Sequence, residues 1–141
     1  MRYMVIVKAT EDTESGRTGT PEEFAEMGAY NEELVKAGVI LAGEGLTPSS
    51  TGARVRFGKD GKTTVLDGPF AETKELVAGF WILQGSSREE VIEWVKKAPF
   101  RDAEVEIRKV AEAEDFGDAF TPELQEKEAQ LRAQSAAQHG A

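Results

Sequence analysis

Apolar positions along the chain follow two periods, one typical of strands and one typical of helices. Residues 2–8 are rich in Val, Ile and Met, and the pattern predicts a short buried strand. Residues 76–83 form the most apolar segment of the chain and predict a central strand buried on both faces. Residues 39–42 predict another apolar strand, and residues 104–108 alternate between apolar and charged types, which indicates a half-buried strand.

Two helices are indicated by their start and stop signals as well as by their spacing. Thr20 is a suitable N-terminal cap, and Glu23 three residues later completes a capping box. Apolar residues then recur at helical spacing until Gly38, which suits the left-handed residue that ends a helix. Residues 87–90 form a second capping box, and Pro99 stops the helix that follows. The intervening residues 10–19 are predicted to be a polar loop.

Residues 54–57 and 63–66 flank an Asp60-Gly61 pair, which is a strong hairpin signal. The predicted order is therefore strand, helix, strand, hairpin plus strand, helix, strand. That order favours an α+β fold of the ferredoxin-like type, a split βαβ with a mostly antiparallel sheet and helices on one face. Because the other face would be left bare, we expect a homodimer that packs through the sheet face.

Composition narrows the classes of protein and site that fit the chain. Its 141 residues predict one ferredoxin-like domain over residues 1–110, followed by an acidic extension over residues 111–141. The extension holds one predicted surface helix, starting at Thr121-Pro122 and pinned by two phenylalanines, and a tail expected to fray beyond Gln134. A net charge of −9 argues against nucleic acid as a partner. With no cysteine and one histidine, His139 in the tail, neither a metal nor a cofactor is expected. The chain shows no signal sequence and no apolar stretch long enough to span a membrane, so we expect a cytoplasmic protein without a membrane partner.

The most informative segment runs from residue 67 to residue 75 and reads Asp-Gly-Pro-Phe-Ala-Glu-Thr-Lys-Glu. It resembles the signature of the YCII-related family, in the branch known as DGPF-domain proteins. The resemblance covers roughly residues 1–110. It implies the dimeric α/β-barrel arrangement, in which two ferredoxin-like subunits pack sheet to sheet. It also implies an association with sigma-factor-type transcription regulators.

Two carboxylates at predicted strand ends are candidates for a site. Asp67 precedes a Gly-Pro turn, where an aspartate either bonds the backbone amides of the turn or presents a rigid general base, so it is also the candidate catalytic residue. Glu44 lies between two glycines, as either a solvated bulge or a displayed ligand contact. With Phe70 as an apolar wall, Glu44 and Asp67 would form a small-ligand pocket. Glu72 and Lys74 are further candidate ligand contacts, or else a charged sheet edge that discourages aggregation.

Two functions from different classes fit these residues. The first is a small-molecule-binding or regulatory dimeric module. The second is an enzyme performing proton transfer, isomerisation or elimination on a small organic acid or lactone, with a carboxylate as the catalyst. The resemblance implies a His-Asp pair in enzymes of the wider family, whereas the domain predicted here contains no histidine. Its catalysts would have to be carboxylates, Lys74, an arginine, Tyr3 or Tyr30, so the binding function is favoured.

Overall fold

A computed structural model of the protein describes residues 1–140. In this part of the chain the strands are β1 (Arg2–Lys8), β2 (Ile40–Gly45), β3 (Ala53–Phe57), β4 (Thr63–Asp67), β5 (Val77–Gln84) and β6 (Val105–Lys109). The helices are α1 (Glu11–Glu14), α2 (Pro21–Lys36), α3 (Arg88–Lys96) and α4 (Pro122–Gln138). Short 3₁₀ turns lie at Ser49–Thr51, Thr73–Glu75 and Ala113–Phe116. The chain forms two units, Met1–Lys109 and a second that begins at Val110.

Four strands form one sheet in the order β2-β5-β1-β6, and every neighbouring pair is antiparallel. This is the strand order of a ferredoxin-like split βαβ, so the predicted fold class is confirmed. The remaining strands, β3 and β4, pair with each other as a separate hairpin, as the Asp60-Gly61 signal predicted. Gly61 in that turn has a φ of +82°, a conformation that glycine adopts without steric cost.

The core of the first unit lies on one face of the four-stranded sheet, where α2 and α3 cover it. Alternation along β1 and β5 directs every second side chain to this face, and the cross-strand pair Val5 and Trp81 lies at its centre. The core comprises Tyr3, Val5, Tyr30, Leu34, Val39, Trp81, Leu83 and Val91. The prediction that β5 is buried on both faces is wrong for the single chain. Trp81 and Leu83 are buried, but Phe80 and Ile82 on the opposite face are only half-buried.

Both long helices of the first unit begin with the predicted N-terminal caps. The two cap hydroxyls accept a hydrogen bond from the amide three residues on. The second hydrogen bond of each predicted capping box, from the backbone amide of the cap residue to the glutamate side chain, does not form. Another partner binds the carboxylate instead. Glu23 instead pairs with Arg17 at 2.8 Å, which lowers the pKa of the carboxyl group, and Glu90 accepts from the amide and hydroxyl of Ser86.

Two elements differ from the sequence prediction. The loop predicted over residues 10–19 contains α1, whose start is capped by a Thr10–Thr13 capping box. The strand predicted over residues 39–42 runs as β2 to Gly45, since pairing with β5 continues along the glycines. Gly38 does end α2, with a φ of +71°.

In the second unit α4 is continuous to Gln138. The helix starts after Thr121 as predicted, and it contains no buried residue. Before it, the rings of Phe116 and Phe120 meet edge to face, with centroids 5.6 Å apart. None of the helices within residues 1–140 combines the length and apolar character needed to cross a membrane.

Candidate functional site

A cleft of about 450 Å³ opens between α2 and the sheet, at the end of β2. The floor of the cleft is formed by β2 and β5 where neither strand carries a large side chain, because Gly45 of β2 lies opposite Gly79 of β5. A Cβ atom built on Gly45 would meet no atom within 4 Å. Gly45 therefore leaves an open space against the sheet, which we call the aromatic cleft.

Aromatic side chains form the walls of this cleft. Phe24 and Met27 reach it from α2, and Phe100 reaches it from the segment after α3. Trp81 forms the inner wall and is buried in the core. Its ring meets that of Phe100 edge to face at 5.9 Å. A Cβ atom on Gly43 would lie 2.8 Å from the indole, so a glycine at this position lets the ring lie flat against β2.

One hydrogen bond determines the polarity of the cleft. The indole Nε1 of Trp81 donates to Oδ1 of Asn31 at 2.9 Å. Because an indole nitrogen can only donate, the amide of Asn31 must turn its oxygen to the ring and its NH₂ group away from it. Asn31 lines the cleft, and within residues 1–140 that NH₂ group has no hydrogen-bond partner. Asn31 is therefore the candidate donor of this cleft for a ligand that carries an acceptor.

Tyr30, a candidate base in the sequence, has a structural role beside the cleft. Its hydroxyl donates to the backbone oxygen of Trp94 at 2.7 Å, and its ring meets Trp81 edge to face. Burial raises the pKa of the hydroxyl to about 12, with the negative charge of Glu33 acting in the same direction. The group therefore stays protonated at neutral pH and cannot serve as a general base.

Glu44 borders the aromatic cleft but does not form its floor. It is exposed at the end of the edge strand β2 and pairs with Phe80, so strand alternation places its side chain on the face opposite the glycine row. Among the residues that line the cleft it is the one ionisable group.

The signature turn is held by contacts that the sequence did not reveal. A Cβ atom on Gly68 would overlap the backbone oxygen of Ser49. The amide of Phe70 donates to the Ser49 hydroxyl at 3.1 Å, and the guanidinium of Arg54 stacks over the Phe70 ring at 3.9 Å. Ser49 in turn donates its amide to Glu14 at 3.0 Å. Gly68 and Phe70 therefore dock the turn against the segment after β2.

Asp67 does not hold this turn, and that part of the prediction is wrong. It is exposed at the end of β4, and within residues 1–140 its carboxylate accepts no hydrogen bond and makes no ion pair. The carboxylate that organises the region belongs to Glu14, which is distant in sequence and binds through Ser49.

The five predicted ligand contacts do not converge on one cavity. Glu44 borders the aromatic cleft, and Lys74 lines a second cleft near the end of β1. Asp67, Phe70 and Glu72 are not among the residues that line either cleft.

Sequence reasoning missed Asn31 and Trp81 as a hydrogen-bonded pair that lines the cleft. The available signal was an amide at an inward position of the helical stripe in α2, where an apolar side chain is expected. A buried amide needs a partner, and a tryptophan on the sheet face could supply it.

Comparison with known proteins places the chain in a family. The family model described as YCII-related domain matches residues 1–114. An uncharacterized protein, R00369 from Rhizobium meliloti (strain 1021), is 31% identical over 98 residues, which cover 68% of this chain and 78% of that protein. A solved structure of 5-chloro-2-hydroxyhydroquinone dehydrochlorinase (TftG) from Burkholderia phenoliruptrix AC1100, in complex with 2,5-dihydroxybenzoquinone, is 18% identical. Its TM-score is 0.46, and the match covers 82% of this chain and 98% of that one. The chain thus belongs to the YCII-related domain family.

Proposed function

We propose that this protein is a small-molecule-binding module, and that the aromatic cleft binds a flat, largely apolar molecule carrying one hydrogen-bond acceptor. The observation that carries the proposal is the Trp81–Asn31 pair, which combines an aromatic wall with an oriented, unpartnered NH₂ group. Small-ligand sites usually combine an apolar lining with a few placed polar groups.

Binding explains the cleft better than catalysis does. Among the residues that line it, Glu44 is the one ionisable side chain, and the strand pairing places that side chain on the opposite face of the sheet. A general base must lie within hydrogen-bond reach of the proton that it abstracts. Tyr30 is excluded as a base by its raised pKa. A binding role requires only the aromatic walls and the Asn31 donor.

The proposal is tested with two probes that differ in one acceptor. Acetophenone has a flat ring and a carbonyl oxygen, whereas ethylbenzene has a similar shape without an acceptor. In ¹H–¹⁵N spectra, acetophenone should shift the indole resonance of Trp81 and leave that of Trp94 unmoved. Ethylbenzene should bind several-fold more weakly, because a neutral hydrogen bond contributes about 0.5–1.5 kcal/mol.

A variant checks the polarity of the site. Asn31→Asp retains an acceptor for the Trp81 indole but replaces the NH₂ group by an oxygen. Acetophenone should lose its advantage over ethylbenzene in this variant. If neither probe moves the Trp81 resonance, or if Asn31→Asp binds acetophenone as well as the wild type does, the proposed function is wrong.

The module is proposed to act as a homodimer through the sheet face. Apolar side chains of β1 and β5, including Ile6 and Phe80, lie on the face that α2 and α3 do not cover. The β3–β4 hairpin exposes Val55, Phe57 and Val65, which are 51%, 78% and 65% accessible. Two-stranded hairpins are marginally stable alone, and monomers rarely expose large apolar patches. A second copy would cover such surfaces.

Light scattering tests the dimer, which should have twice the 15.4 kDa mass of the chain. Phe80→Glu should shift the protein toward the monomer, because a buried charge without a partner opposes association. Val35→Glu is the matched control, since Val35 is an exposed apolar residue on α2, away from the sheet face. A wild-type protein that is monodisperse as a monomer at micromolar concentration would contradict the proposal.

A further inference from the structure

A second cleft of about 480 Å³ lies where β1 ends, and its lining differs in character from that of the aromatic cleft. Four ionisable side chains line it, Lys8, Lys74, Asp102 and Glu104, together with two alanines and a threonine. We call it the ion cleft. Lys74, the lysine of the 67–75 signature, lines the ion cleft and does not line the aromatic cleft.

Backbone contacts fix the walls of the ion cleft. The amide of Lys8 donates to the backbone oxygen of Glu104 at 3.0 Å, and the amide of Ala9 donates to that of Leu76 at 3.0 Å. These bonds join the end of β1 to the segment before β6 and to the end of the 3₁₀ turn that carries Lys74. Ala9 itself is buried. Three segments that are distant in sequence are thereby held around one space.

The charges in this cleft balance one another but do not pair. Two lysines and two acidic residues line the same space, yet within residues 1–140 none of the four side chains makes an ion pair within 4.0 Å. Asp102 has a φ of +52°, a left-handed conformation that is uncommon outside glycine and that aspartate tolerates. The cleft thus presents separated charges of both signs.

We propose that the ion cleft binds a zwitterion, a small molecule with both a carboxylate and an ammonium group, of the amino-acid type. A simple anion near Lys8 and Lys74 would be repelled by the two carboxylates, and a simple cation would be repelled by the two lysines. A molecule carrying both charges satisfies both signs and brings no net charge into the cleft. Charge-assisted hydrogen bonds of this kind are stronger than neutral ones.

The test uses L-glutamine and two analogues that each lack one charge, N-acetyl-L-glutamine and L-glutaminamide. In ¹H–¹⁵N titrations, glutamine should give saturable shifts at the amides of Ala9 and Ala103, with the Trp81 indole unmoved. Each analogue should bind at least about fivefold more weakly, since it loses the contacts of one charge. Because the readout lies outside the aromatic cleft, the outcome is independent of the function proposed above.

Two variants address the two ends of the ligand. Lys74→Met keeps the length of the side chain and removes its charge, and Asp102→Asn removes a charge with a residue that also tolerates a left-handed φ. Each should weaken glutamine binding at least about fivefold. Lys59→Met, in the hairpin turn, is the matched control and should bind as the wild type does. Three results would each overturn the zwitterion site: N-acetyl-L-glutamine binding as tightly as glutamine, Lys74→Met binding unchanged, or no shifts up to the solubility limit of glutamine.

Discussion

Replacing Gly68 by alanine should strongly destabilise the protein, although the change adds a single methyl group. The added Cβ atom would overlap the backbone oxygen of Ser49 and lie 2.7 Å from its carbonyl carbon. Real Cβ contacts essentially never fall under 3.0 Å. Because the obstructing atoms belong to the backbone, a rotamer change cannot relieve the clash, and the two segments must separate.

The cost of that separation can be estimated from the contacts that it breaks. The amide of Gly68 donates to the backbone oxygen of Gly52 at 2.9 Å, and the amide of Phe70 donates to the Ser49 hydroxyl at 3.1 Å. Each such hydrogen bond contributes about 0.5–1.5 kcal/mol, and forced overpacking adds about 1–3 kcal/mol. We therefore expect a loss of about 2–6 kcal/mol, a large part of the about 5–15 kcal/mol that stabilises a typical domain.

Urea unfolding followed by circular dichroism measures this loss directly. The matched control is Gly28→Ala, because a Cβ atom on Gly28, within α2, meets nothing within 4 Å. That variant should gain roughly 0.5–1 kcal/mol from its higher helix propensity. If Gly68→Ala unfolds at the urea concentration of the wild type, the turn has room for a side chain and the structural explanation of the signature is wrong.

Three further substitutions test individual side chains by the same measurement. Tyr30→Phe should remove a loss of folding stability that the wild type shows at alkaline pH. The pKa of the Tyr30 hydroxyl is raised from 10.0 to about 12 in the folded protein. The wild type therefore keeps the corresponding contribution to the free energy of unfolding, about 1–3 kcal/mol, below pH 10 and loses it as the pH rises towards 12. A variant that still loses this stability between pH 10 and 12 would assign the loss to another group. Asp67→Asn should change the free energy of unfolding by less than about 0.5 kcal/mol, because the carboxylate has no hydrogen-bond or ion-pair partner within residues 1–140. A larger loss would show that the carboxylate does have such a partner. Glu14→Gln should cost about 1–2 kcal/mol, since Ser49 then loses a charged acceptor, and an unchanged midpoint would contradict that role.

The fold was predictable because its signals are local. The strand of residues 2–8 has the same bounds in the structure, and the caps of α2 and α3 lie where the Thr-Pro-Glu-Glu and Ser-Arg-Glu-Glu patterns place them. The end of β2 was harder to predict from the sequence, because Gly43 and Gly45 have low strand propensity. Pairing with β5 supplies the hydrogen bonds that the local sequence does not favour. Pairing with β5, and not the local sequence, therefore determines where β2 ends beside the aromatic cleft.

The candidate site was predictable only in part, because its decisive contacts join residues that are far apart in sequence. Trp81 and Asn31 are separated by 50 positions, and Glu14 and Ser49 by 35. A polar residue in an apolar stripe indicates that some partner exists, but the pattern does not identify it. Glu44 was singled out from its flanking glycines, which are a local signal, and the structure places it at the border of the cleft.

The signature of residues 67–75 is best understood as a structural device with one position that lines a cleft, rather than as a single site. Two changes of chain direction occur within it, a bend at Gly68 and the 3₁₀ turn Thr73–Glu75. Phe70 packs under Arg54, whereas Lys74 lines the ion cleft. A stability loss in Gly68→Ala together with a binding loss but normal stability in Lys74→Met would separate the two roles experimentally.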